Sequence, residues 1–191
     1  PIKNMAGDKH FAEIFFTDVQ VPVENRLGAE GEGWKVTVSA LANERSSIGE
    51  VTQMFSKLDE LKDLVKSTRV QGKPAAEDPA VRRQLARFET KIAAMKYNGL
   101  RYLTKQIKGE PLSSETSVNK LHRASLEIEM DDFAVSLSGE AGLQLKGGEN
   151  AVGGGSWSKS ALNWPNVVIG GGTPNIQRNI IAERILGLPK D

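Results

Sequence analysis

The chain has 191 residues, 39% of them hydrophobic, which is enough for one well-packed domain. Its 25 lysines and arginines stand against 24 acidic residues, so no net field draws it to nucleic acid or to an anionic membrane, although local basic clusters can still hold phosphates. The absence of cysteine excludes disulfides, thiolate metal sites and a cysteine nucleophile. His10 and His122 lie far apart without ligand spacing and read as surface or packing residues, so no metal site is expected. No apolar run approaches the roughly 20 residues of a membrane span, and the start does not read as a secretory leader. The expectation is a soluble, cytoplasmic protein.

In chain order, residues 11–23 read as extended: Phe11, Ile14, Phe16, Val19, Val21 and Val23 come close to alternating, and Pro22 marks an edge or an end. Without a neighbouring strand such a segment is expected to be poorly held. After a loop rich in glycine and acid, Trp34, Val38, Leu41, Ile48, Val51, Phe55, Leu58, Leu61 and Val65 recur at helical spacing, which predicts one long helix with a single buried face. Gly72 and Pro74 break it. Asp78 and Pro79 then form a cap and first position for a second helix, which carries its stripe from Val81 to Ile107 and ends at Gly109. A third helix is expected over residues 114–137, with Val118, Leu121, Leu126, Met130, Phe133 and Leu137 facing inward. Its Asp131–Asp132 pair reads as a solvated face.

Residues 139–172, rich in glycine and carrying Trp157, Trp164 and Pro165, read as a long irregular loop, the tryptophans serving to anchor it. Thr173 and Pro174 cap a closing helix, and the three glycines before them leave backbone N–H groups uncovered near a helix start, where a polarised carbonyl can sit. The fold class is therefore all-α, a four-helix up-and-down bundle preceded by a short extended segment. The domain division expected is 1–28 as the end of another domain and its linker, and 29–191 as the bundle.

Two stretches carry a family resemblance. Gly171-Gly-Thr-x-x-Ile-Gln-Arg-Asn-Ile-Ile-Ala-Glu-Arg-x-Leu-Gly-Leu-Pro resembles the C-terminal signature of the acyl-CoA dehydrogenases, and the stretch from Phe15 to Trp34 resembles the passage from their middle β-domain to their C-terminal helical domain. The chain opens at Pro1, partway through the family's pattern, so it is expected to be the C-terminal half of a longer polypeptide. The resemblance implies FAD as cofactor, an acyl-CoA substrate oxidised to the trans-2-enoyl-CoA in fatty-acid β-oxidation, electron-transfer flavoprotein as electron acceptor, and a homo- or hetero-oligomer, a dimer of dimers. The reaction needs a carboxylate base, a polarised thioester oxygen and a flavin held against the substrate.

In most of the family the base directly precedes the Gly-Thr of the terminal motif; here that position is Gly171. Other members place it on the first long C-terminal helix before an arginine, which here is Glu44-Arg45. The resemblance thus implies Glu44 as base, with Arg45 to orient it and Asn43, Gly171 and Gly172 contacting the substrate. Arg45 falls inside the seven-residue interval from Leu41 to Ile48, toward the predicted buried stripe. A Glu-Arg pair on a helix also reads as an ordinary ion pair. The cofactor positions implied are Arg69, Gly139, Thr173 and Asn175. Gln71, Ser136 and Glu140 depart from the family's pattern, and Glu140 would repel a pyrophosphate. These departures suit one member of an unlike pair, each subunit completing the other. Two further readings stay open: a non-catalytic structural subunit of a heteromeric complex, and a helical binding module without flavin chemistry.

Overall fold

The structure is a computed structural model and describes residues 1–44, 49–110 and 114–190; the side chains of residues 41–44 and 49 lie outside that description. Its helices are α1 (Gly33–Glu44), α2 (Gly49–Ser67), α3 (Pro79–Ile107), α4 (Thr116–Ser138), α5 (Ser156–Ile169) and α6 (Pro174–Arg184). A two-stranded hairpin, β1 (Arg69–Val70) and β2 (Lys73–Pro74), joins α2 to α3, turning at Gln71 and Gly72, both at positive φ. No described helix is long and apolar enough to cross a membrane.

The all-α bundle expected from the sequence is present, and α2, α3, α4 and α5 share one core. Met54, Leu58 and Leu61 of α2 meet Phe88, Ile92 and Met95 of α3, Leu126 and Met130 of α4, and Trp157 of α5. Phe88 stands edge-on to Phe133 at 5.7 Å between ring centroids, a favoured aromatic geometry. Asp78 caps α3 as its sequence requires, its Oδ1 accepting from the Ala80 N–H at 2.7 Å.

Several expectations are corrected. The stripe assigned to one long helix lies on α1 and α2, with residues 45–48 outside the described residues; among the described side chains the α2 part reaches the core, whereas Trp34 on α1 is 78% exposed. Periodicity identifies a helix face and leaves open what covers it. Residues 139–172 are not an irregular loop, since they contain α5 with Pro165 inside it, and 3-10 turns at Gly139–Leu143 and Val152–Gly155. Trp157 is buried as an anchor while Trp164 is exposed.

The buried face of α4 is broader than the predicted stripe. Because α2, α3, α5 and α6 all pack on it, Ser117, Asn119, Lys120 and Asp131 are buried beside Leu126 and Met130. Asp131 accordingly lies in the interior, not on a solvated face: Lys57 Nζ lies 2.7 Å from Oδ1, Ser160 Oγ donates to Oδ2 at 2.8 Å, and Lys57 also donates to Ser160 at 3.0 Å. Burial pushes the Asp131 carboxyl up, against the pull of Lys57.

The N-terminal segment expected to be extended contains no strand: Asp18 has φ +50° and Val23–Asn25 form a 3-10 turn. One bridge pairs Ile2 with Phe11, and Ile14, Phe15, Phe16, Val19 and Val21 stand exposed.

Candidate active site

The turn before α6 is built by local sequence. The N–H of Gly170 closes α5 on the Asn166 carbonyl at 2.9 Å, and the chain then reverses through Gly171 at φ +67° and Gly172 at φ +101°, which L side chains rarely adopt. Thr173 Oγ1 accepts from the Ile176 N–H at 3.4 Å and Pro174 begins the helix, the cap its sequence announces. Gln177, fully buried, donates from Nε2 to the carbonyls of Gly171 at 3.0 Å and Gly172 at 3.3 Å. One amide thus holds both glycine carbonyls and fixes the direction of the peptides between them. The Gly172 N–H is engaged inside the turn by the Ile169 carbonyl at 3.3 Å.

From α4, Lys120 reaches beneath the turn and donates to the Val167 carbonyl at 2.7 Å. A Cβ added at Gly171 would lie 3.2 Å from Lys120 Cε, so the lysine stem occupies the side from which a residue at 171 would project. A cavity of about 230 Å³ adjoins this point, lined by Glu50, Lys120, Arg123, Asn166, Val167 and the Gly170–Gly171 backbone. Glu50, at the start of α2, pairs with Arg123, and Arg123 Nη2 also lies 3.5 Å from Glu127 Oε1. Burial pushes the Glu50 carboxyl up, while the positive charges of Arg123 and Lys120 pull it down.

The predicted site residues fall into three groups. Gly171, Gly172, Thr173 and Asn175 come together at the turn; Asn175 Oδ1 there accepts from Arg178 Nη1 at 3.2 Å. Arg69 and Gly139 belong to the opposite end of the bundle, where Val70 of the hairpin packs in one cluster with Phe133 and Leu137 of α4. The two ends are separated by most of α4, about 28 Å for the 19 residues from Lys120 to Gly139 at 1.5 Å rise. The third group is Asn43, Glu44 and Arg45: Glu44 is the last residue of α1, the side chains of Asn43 and Glu44 lie outside the description, and Arg45 lies outside the described residues altogether.

Arg69 is exposed and steadied by donating from Nε to the Gly72 carbonyl at 3.0 Å, and Gly139, at φ +58°, has nothing within 4 Å of where its Cβ would stand. An exposed guanidinium and a turn without a side chain are each compatible with an anionic ligand. Among the described residues no cluster of His, Asp and Glu suits a metal ion.

Sequence reasoning missed Glu50, Lys120, Arg123 and Gln177. Lys120 and Arg123, three residues apart in a helix whose apolar stripe runs past them, were the available signal; their partners come from α2 and α5 and carry no sequence mark.

The model for the acyl-CoA dehydrogenase C-terminal domain matches residues 31–186, and the chain belongs to the acyl-CoA dehydrogenase family. The chain is 34% identical over its full length to acyl-CoA dehydrogenase IpdE1 of Mycolicibacterium smegmatis, covering 46% of that protein, and 32% identical to IpdE1 of Mycobacterium tuberculosis, covering 47%. Among solved structures it superposes over its whole length on a chain of the ChsE4-ChsE5 complex from Mycobacterium tuberculosis, with a TM-score of 0.81 and 26% identity, covering 50% of that chain. The chain thus spans about half the length of the curated relatives it matches.

Proposed function

We propose that the protein containing this chain oxidises an acyl-CoA thioester to the trans-2-enoyl-CoA. The observation that carries this reading is the Gly171–Thr173 turn, anchored by Gln177 and capped onto α6, in a chain belonging to this family. Glu44 takes the α-proton, with Asn43 and Arg45 beside it, and Gly171 turns its backbone toward the thioester oxygen with Gly172 alongside. A bound FAD supplies the hydride acceptor at the β-carbon. Thr173 and Asn175 hold the cofactor near the turn, and Arg69 and Gly139 hold a dinucleotide end.

Those two sets lie at opposite ends of α4, which favours an assembly in which each subunit supplies one set to its neighbour's site. We propose an oligomer on that ground, a dimer of dimers that is hetero-oligomeric where the departures at Gln71, Ser136 and Glu140 leave one cradle weak. The ChsE4-ChsE5 complex from Mycobacterium tuberculosis, on one chain of which this chain superposes, supports the same reading. Residues 1–28 then close a preceding β-domain and 29–191 form the helical domain; electron-transfer flavoprotein is the electron acceptor and the cytoplasm the compartment.

The test is direct. Full-length protein, alone and co-expressed with a homologous subunit, is purified and its flavin absorbance followed on adding acyl-CoA under anaerobic conditions. Bleaching with formation of enoyl-CoA supports the proposal. A flavin-loaded complex in which only the other subunit is needed for bleaching would favour the structural-subunit reading instead.

A further inference from the structure

We propose that Gln177 is a positioning residue of the dehydrogenase reaction: by holding the carbonyls of Gly171 and Gly172 it keeps the Gly171 N–H aimed at the thioester oxygen. The inference rests on the reading above and adds to it the residue that gives the glycine turn its geometry. Gln177 acts through the backbone and does not itself touch the substrate.

The turn needs such a residue. Gly170, Gly171 and Gly172 follow one another, and glycine lacks the side chain that confines other residues to a few backbone conformations. A donor that stabilises charge on a reacting oxygen must stand in place beforehand, because a misplacement of about 1 Å costs on the order of 100-fold in rate. Two contacts on the α5 side supply part of the order: the Gly170 N–H donates to the Asn166 carbonyl at 2.9 Å and the Gly172 N–H to the Ile169 carbonyl at 3.3 Å. In a planar trans peptide the Gly171 carbonyl points opposite to the Gly172 N–H. It accepts from Gln177 Nε2 at 3.0 Å, as the Gly172 carbonyl does at 3.3 Å. The peptide joining Gly171 to Gly172 is therefore held at both edges, by Ile169 and by Gln177. The peptide that carries the Gly171 N–H lies between this clamped unit and the closed end of α5.

Gln177 is suited to the task. It lies one turn into α6, and its own N–H donates to the Thr173 carbonyl at 2.9 Å, which ties it to the end of the glycine run. The residue is fully buried, so water does not compete for its donations. Among the described residues the two glycine carbonyls are the only hydrogen-bond partners of its amide, since Oε1 is buried and unpaired. A half-satisfied amide is a poor filling for a buried position on stability alone. What it does supply is an NH2 group, whose two hydrogens reach two neighbouring carbonyls from one point.

The experiment uses the full-length protein in its native oligomer as wild type, Gln177→Met and Gln177→Glu, the last keeping the side chain's size while replacing the NH2. Ile92→Val, in the core on α3, is the comparison for an ordinary loss of stability. Flavin bleaching is followed by anaerobic stopped flow with butanoyl-, octanoyl- and hexadecanoyl-CoA, and affinity by calorimetry. Carbonyl polarisation is read by infrared difference spectroscopy on bound 3-thiaoctanoyl-CoA labelled with carbon-13 at the thioester, which has no β-carbon hydride to give. In the wild type the labelled band lies below its position in water. In both Gln177 variants it moves back toward that position and bleaching slows by about 100-fold or more, while affinity stays within about threefold. Ile92→Val leaves the band and the bleaching rate per bound flavin unchanged.

An unmoved band, with bleaching within about threefold of wild type in either flavin-loaded Gln177 variant, overturns the inference and leaves the dehydrogenase reading intact. Loss of flavin or of the folded oligomer in both variants also overturns it, by assigning Gln177 to the fold alone. A wild type bleached by none of the three thioesters sinks the reading beneath it, and the inference with it.

Discussion

Replacing Lys57 by methionine tests the interior of the bundle. Lys57 Nζ lies 2.7 Å from Asp131 Oδ1, and the side chains of the two residues are 19% and 4% exposed. At that distance, and with an effective dielectric near 20, the attraction is about 6 kcal/mol, most of it offset by desolvating both ions. Removing only the lysine deletes the attraction and leaves the desolvated carboxylate with Ser160 as its remaining donor. The expected loss is about 3–5 kcal/mol, or roughly 6–20 °C in Tm for a domain of this size. Lys57→Met combined with Asp131→Leu should recover most of it, because no buried charge then remains.

The pH dependence has a definite sign. The folded-state pKa of Asp131 is raised from 3.8, so the group favours folding most below that value and loses its contribution as pH rises through the folded pKa. Without Lys57 it is raised further, so the deficit of the single variant should shrink as the solution is acidified toward 3.8. Urea unfolding of the wild type, both variants and the double variant across acidic to neutral pH measures all of this. A single-variant loss below about 1 kcal/mol at neutral pH would refute the reasoning, since that is the scale of a solvated pair.

Gly155→Ala should be among the most damaging small changes, because φ is +81° and the new Cβ would lie 2.4 Å from the Lys146 backbone nitrogen and 2.6 Å from the Leu145 carbonyl carbon. A loss of at least about 2 kcal/mol in urea unfolding is expected, and a loss under about 0.5 kcal/mol would show that the start of α5 is not packed this way. Gly171→Glu restores the residue type most of the family carries at this position, but at φ +67° and 3.2 Å from the Lys120 stem. It should lower stability by about 1–3 kcal/mol without raising turnover, and a gain in enoyl-CoA formation would contradict the arrangement of Lys120 under the turn.

What the sequence made legible was local. Asp78-Pro79 and Thr173-Pro174 announce helix starts because a cap and its N–H acceptor lie within a few residues of each other. α3 was readable for the same reason, its stripe running against a neighbour along most of its length. α5 was hidden by its own composition: glycines precede it, Pro165 interrupts it, and serines occupy its inward face. Those serines are inward because they meet buried partners, Ser160 at Asp131 and Ser158 within hydrogen-bond distance of the Gly142 and Gln144 carbonyls.

Asp131 and Glu50 were misread or missed for a related reason. The partner that makes each of them an interior residue lies on another helix, 74 positions away for Lys57 and Asp131 and 73 for Glu50 and Arg123. The sequence marks the glycine turn as a candidate site, but not the carboxylate, guanidinium and lysine that line the cavity beside it.

The account's central claim is that proton abstraction is performed from the end of α1 while Gly171 contributes only backbone. Glu44→Gln in the full-length protein keeps the side chain's shape and removes the base. The account predicts flavin content and acyl-CoA binding close to wild type with enoyl-CoA formation reduced by roughly 10²–10⁴-fold. Turnover within about twofold of wild type, with flavin and substrate bound, would contradict it.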